Sequence, residues 1–193
     1  MAIGNGVFAA LLLAIVLLPA QARGMDMDDS HDMMSDEVED WGGRDDAAFL
    51  SGMIAHHRGA VDMSEAVLAA NPEARVRQWA EAIIAAQKDE IAKMESLLPA
   101  VGGPDREAET MMAEEMRHMM EMEMSDDPGI NFVMMMIPHH AGAIDMSLAP
   151  LVYSDNAEIR TLARDIIAAQ AGEIYEFRQW LAEKGVPAGS SAH

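Results

Sequence analysis

The string Met53-Ile54-Ala55-His56-His57-Arg58-Gly59-Ala60-Val61-Asp62-Met63-Ser64 returns 83 residues later as Met136-Ile137-Pro138-His139-His140-Ala141-Gly142-Ala143-Ile144-Asp145-Met146-Ser147. The two copies hold four of the chain's seven histidines. Imidazole and thioether are both metal ligands, and together they suit copper: Cu(I) prefers sulfur and Cu(II) prefers nitrogen. Zinc more often recruits cysteine or carboxylate beside histidine, and the chain has no cysteine. A di-iron carboxylate site needs inward glutamates and two Glu-x-x-His pairs. The chain has one such pair, Glu115-x-x-His118, outside both copies.

On a helix at about 100° per residue, Met53, His56, His57, Ala60, Met63 and Ser64 share one arc of roughly 120°. Met136, His139, His140 and Met146 repeat it. These eight histidines and methionines are the candidate ligands. Asp62 and Asp145 recur too, but they fall on the opposite face and read as structural. The competing reading is packing, because methionine fills cores flexibly and a lone histidine on an apolar face is usually a core residue. Two copies of one Met/His pattern in a chain without thiols favour metal.

The elements that must position these residues are helical. Residues 47–98 align with 130–181 without a gap, with 23 of 52 positions identical. Each copy reads as a helical hairpin. Asn71-Pro72 is the expected N-cap and first position of the second helix, with Ser154-Asp155 at the same place in the second copy. Val76, Ile83, Ile84, Ile91, Met94 and Leu98 form an apolar stripe at helical spacing, repeated by Ile159, Ile166, Ile167, Ile174, Phe177 and Leu181. Gln87 and Gln170 interrupt these stripes. In an antiparallel hairpin they face the histidine level, which suggests supports that orient the imidazoles. Glu90 comes out level with Met53. Arg77 and Arg160 fall near Asp62 and Asp145, an expected ion pair in each hairpin. Small residues (Gly59, Ala60, Gly142, Ala143) leave room beside the histidines. Pro138, where the first copy has Ala55, is expected to kink its helix and make the copies unequal.

Between the copies, residues 99–129 form a connector. Its helix, expected over residues 105–124, carries Met116, His118, Met119 and Met120 as a further ligand set, with packing as the alternative. Two hairpins joined by a long crossover imply an all-α, ferritin-like four-helix bundle with an additional Met-rich connecting helix.

Residues 45–184 make up this duplicated domain. Residues 7–19 are apolar, and Ala20-Gln21-Ala22 reads as a small-x-small cleavage site, so residues 1–22 are expected to be a signal peptide. Residues 23–44 form an acidic tail in which Met25, Met27, His31, Met33 and Met34 alternate with aspartates. Residues 185–193 are expected to be a flexible C-terminus. The chain carries 13 basic and 33 acidic side chains, a formal charge of −20. That field repels nucleic acid and anionic membranes and draws cations. With the signal removed, no membrane association is expected.

At the two Met-Ile-x-His-His-x-Gly-Ala-x-Asp-Met-Ser strings, and at Ile-Ile-Ala-Ala-Gln-x-x-Glu-Ile over residues 83–91 and 166–174, the chain resembles the bacterial "domain of unknown function 305" family. The resemblance covers about residues 45–184. It implies an exported, ferritin-like helical protein, and it brings in periplasmic copper-binding members linked to copper resistance. It supports Met53, His56, His57, Met63, Met136, His139, His140 and Met146 as ligands. The resulting expectation is a periplasmic copper binder that sequesters or transfers the ion without turnover. Its partners would be metal ions and a copper exporter or another periplasmic copper protein. The alternatives are a metal-dependent redox enzyme of the ferritin-like class and a metal-free helical interaction module.

Overall fold

The computed structural model describes residues 45–122 and 124–187. The expected signal peptide (1–22), the acidic tail (23–44) and residues 188–193 lie outside the described residues. Five α-helices follow in order: α1 (Asp46–Ala69), α2 (Ala74–Leu97), α3 (Arg106–Met120), α4 (Pro128–Tyr153) and α5 (Ala157–Glu183). Among the described residues there is no strand, so the class is all-α as expected.

Short polar side chains start four of the helices. Asp45, Asp105, Asp127 and Asn156 each accept a hydrogen bond from a backbone N–H in the first turn of the helix that follows. This satisfies donors that have no partner within the helix. Pro128 occupies the first turn of α4, where its missing N–H costs nothing.

The turn between α1 and α2 corrects the sequence reading. Asn71 has φ of +56°. It closes α1 in the left-handed conformation that Asn tolerates, and Pro72 then blocks continuation. Glu73, not Asn71, is the cap residue of α2, and its side chain makes no capping bond. In the second copy Ser154 ends α4, and the cap of α5 is Asn156, two residues later.

The expected ion pairs are corrected as well. Arg77 donates to Asn71 Oδ1 at 2.7 Å, and Arg160 donates to the Ser154 carbonyl at 2.6 Å. Asn71 and Ser154 are equivalent under the 83-residue shift, so both arginines tie down the hairpin turns. Asp62 and Asp145 are exposed.

α1 pairs with α2 and α4 with α5, and α1 packs on α4. The core falls into two clusters that exchange roles under the repeat. One joins Val76, Ala80 and Ile83 of α2 to Phe132, Val133 and Met136 of α4, with Phe177 and Trp180 of α5. The other joins Ile159, Ala163 and Ile166 of α5 to Phe49, Leu50 and Met53 of α1, with Met94 of α2. Ala60 and Met63 belong to the first cluster and Ala143 to the second. The four histidines therefore sit where α1 and α4 pass from one cluster to the other.

The connector breaks the symmetry. A 3₁₀ turn (Leu98–Val101) and Gly102, with φ of +96°, precede α3. α3 ends at Met120, earlier than the expected 124. It lies across α1. Asp105 N–H donates to Ser51 Oγ at 2.9 Å, Arg58 pairs with Glu109 at 3.0 Å, and Met116 packs against Gly59. A methyl at position 59 would approach Met116 Cγ to 2.9 Å, so glycine there permits the contact. With α2, α3 and α4 around it, α1 is buried on nearly every side. α4 runs unbroken through Pro138, which is exposed.

Candidate metal centre

Helix periodicity puts His56 and His57 of α1, and His139 and His140 of α4, on inward arcs at the junction of the two hairpins. All four are buried, His57, His139 and His140 completely. The rings of His56 and His139 lie 3.8 Å apart between centroids, tilted by 40°. Gly142 lies beside this pair: a methyl there would come to 3.4 Å from His56 Nε2, at ordinary contact distance.

The hydrogen bonds assign ring protons. His139 Nε2 lies 3.0 Å from the His56 carbonyl oxygen. A carbonyl only accepts, so Nε2 carries the hydrogen and Nδ1 keeps its lone pair. His57 Nε2 lies 2.8 Å from Glu90 Oε2, with the same consequence for its Nδ1. His140 Nε2 lies 2.6 Å from Glu173 Oε2, off the direction of a good hydrogen bond. The Nδ1 atoms of all four histidines are buried without a hydrogen-bond partner. A buried polar atom left unpaired is costly, and a bare imidazole nitrogen is a metal donor. A carboxylate bonded to the far nitrogen is the usual device for orienting such a ligand and raising its basicity.

The spacing argument missed these carboxylates. The expected supports, Gln87 and Gln170, are buried, but Gln87 Oε1 and both amide atoms of Gln170 have no partner. Glu90 and Glu173, one turn further on, hold His57 and His140 instead. The signal was in the repeat itself: Gln-x-x-Glu-Ile recurs with its acid unchanged.

The thioethers divide. Met53 and Met136 are fully buried on the same helices, four residues before His57 and His140. Met63 and Met146 lie two turns beyond His56 and His139. Met63 lines a separate cavity, and Met146 reaches the space beside Gly52. The connector residues spread over different faces of α3. Met116 is buried against α1, Met119 packs on the core margin, and Met120 is exposed. His118 points outward, with Nδ1 3.7 Å from Glu121. Among the described residues, no three His, Asp or Glu side chains converge as a ready-made metal cage. The four imidazoles lie together at the junction of the hairpins without forming such a cage.

Burial and the nearby imidazoles keep two rings neutral. Burial first, then His57 and His140, push His56 down to about 3, against the opposing effect of its bond with His139. Burial, then His56 and His140, hold His139 well below the usual histidine range. A neutral imidazole has no proton to lose before it binds metal. The same shifts affect stability. The folded values lie below the unfolded value near 6.5, so the unfolded chain takes up protons that the folded chain refuses. This contribution is complete above pH 7 and is lost as pH falls through 6.5 toward 3. In urea titrations of the metal-free protein, stability should fall between pH 6 and 5, by up to about 1.4 kcal/mol per pH unit for each proton that only the unfolded chain takes up. A flat profile there would show that the rings are solvated.

A profile of the family "Domain of unknown function (DUF305)" matches residues 46–128 and again 129–193. The first match contains α1 to α3, and the second contains α5 and all of α4 but its first residue. Among solved structures, a DUF305 fragment from Deinococcus radiodurans is 27% identical, with a TM-score of 0.59 over 72% of this chain and 96% of its own. CopM in its Cu(I)-bound form is 25% identical, with a TM-score of 0.57 over the same shares. CopM in its Cu(II)-bound form is 26% identical, with a TM-score of 0.59. An uncharacterized protein of Acanthamoeba polyphaga mimivirus is 41% identical over 54 residues, 28% of this chain and 36% of that protein. The chain thus spans about a third of that relative's length. Matched twice by one profile, copy for copy with its own repeat, the chain belongs to the domain of unknown function family DUF305.

Proposed function

We propose that this protein binds copper through the histidines at the junction of its two hairpins, and that it sequesters or passes on the ion without turning over a substrate. One observation carries the reading: four buried imidazoles, each with an unpartnered Nδ1, with Glu90 bonded to His57 Nε2 and Glu173 Oε2 2.6 Å from His140 Nε2. His56, His57, His139 and His140 would supply the nitrogen donors. Met53 and Met136 would supply the nearest thioethers, an assembly suited to both oxidation states of copper. The likeness to CopM, solved with Cu(I) and with Cu(II), supports the same cargo. The acidic surface would gather cations, and the apolar run followed by Ala20-Gln21-Ala22 supports export to the periplasm. Transfer would need a copper-accepting protein partner such as an exporter.

The test is a metal titration of the purified chain, anaerobic for Cu(I) and aerobic for Cu(II), each against a competing chelator, with Zn(II) in parallel. Copper should bind stoichiometrically in at least one oxidation state and displace zinc. If zinc outcompetes copper, or neither metal binds, the reading is wrong.

A further inference from the structure

Met63 shares an arc with His56, but it lies seven residues on, about 10 Å along the helix axis. It opens instead onto a cavity of about 200 Å³ where α1, α3 and α4 meet. Three thioethers line that space: Met63, Met120 and Met135. Met63 and Met135 are 6% and 5% exposed, while Met120 is 42% exposed. Two of these side chains are therefore buried and the third is exposed to solvent. The rest of the lining is apolar except for Asn131, and no carboxylate, imidazole or amine lines the cavity.

Asn131 bears on the sulfur directly. Its Oδ1 accepts from the N–H groups of Met124 and Ser125 at 2.6 and 3.2 Å, which fixes the amide. Its Nδ2 then donates to Met135 Sδ at 3.4 Å. A thioether has a second lone pair, so this bond positions the sulfur without using it up. The repeat provides a comparison. The counterpart of Met135 is Gly52, and the counterpart of Met63 is Met146, whose Cε would lie in ordinary contact, at 3.5 Å, with a methyl at position 52. The second half therefore pairs one methionine with a glycine, whereas the first half pairs two methionines and α3 adds Met120.

We infer that Met63, Met120 and Met135 form a thioether site for a soft monovalent cation, Cu(I) by chemistry, distinct from the histidine cluster. Hard cations find no oxygen or nitrogen donor there apart from one amide, whereas a soft cation finds three sulfurs. Open at Met120, the site would receive Cu(I) from solution. The inference does not require the histidines to bind copper.

Silver(I) is the redox-inert probe, used on the full chain carrying ¹³C at its methionine ε-methyl groups. Adding Ag(I) should shift the Met63, Met120 and Met135 methyl signals together. Met63→Leu/Met135→Leu, a swap that keeps volume and core packing, should lower Ag(I) stoichiometry by about one equivalent while leaving Cu(II) binding unchanged. Unmoved Met63 and Met135 methyls, or full Ag(I) stoichiometry in the double variant, would overturn the site. If the wild type binds no Cu(II) and no Ag(I) beyond this one equivalent, the histidine reading alone fails.

Discussion

Copper affinity should fall by at least about 100-fold when His139 and His140 are both replaced by alanine, and equally when His56 and His57 are. Removing an outer partner of a metal ligand commonly costs 10- to 100-fold, so losing the ligands themselves should cost no less than the top of that range. Either double variant should abolish the whole site, because the halves are joined at their centre. The His56 and His139 rings are 3.8 Å apart, and His139 donates across to the His56 carbonyl. A chelator competition assay, with helix content checked by circular dichroism, reads the result. Read with Cu(II), which the thioethers do not favour, stoichiometry halved in each variant would mean two independent histidine sites, and unchanged affinity would remove the histidines from the function. Glu90→Gln/Glu173→Gln should give the milder loss expected of orienting groups, about 10- to 100-fold.

The sequence showed the duplication, the helical class and the inward arc of the histidines, because all three are properties of spacing. It hid what depends on side-chain direction across a gap. Pairing residues equidistant from the turn put Gln87 opposite His57 and left Glu90 four residues off, an offset of about 6 Å. Side chains on a helix lean toward its N-terminus. In an antiparallel pair, His57 leans away from the turn and Glu90 leans toward it. The two close the offset and meet at 2.8 Å, so the backbone level was right and the chosen partner was one turn short. Asn71-Pro72 misled differently. The two residues that start a helix when read forward also stop one, and φ of +56° at Asn71 shows which role applies. Met63 sat on the ligand arc in projection, but a helical wheel discards height, and height separates it from the imidazoles.

Phe177→Ala should be the most damaging single substitution for the fold, costing about 3–5 kcal/mol. The side chain is fully buried, meets Trp79 edge-on at 5.0 Å, and lies 5.6 Å from the His140 ring. For a domain of this size the loss corresponds to a fall in melting temperature of roughly 6–20 °C. The position also separates the copies: its counterpart, Met94, is equally buried but not aromatic. Met94→Leu should be nearly silent, since volume is kept and no ring contact is lost. Phe177→Leu should fall between, because it keeps the apolar burial but gives up the edge-on contact with Trp79, worth about 0.5–1.5 kcal/mol. The order Met94→Leu, Phe177→Leu, Phe177→Ala, read as melting temperature of the metal-free chain, tests whether the aromatic packing between α5 and α2 supports the core beside His140. If Phe177→Ala melts within about 2 °C of the wild type, well under that range, the core around His140 is not packed as described, and the buried imidazoles lose their support.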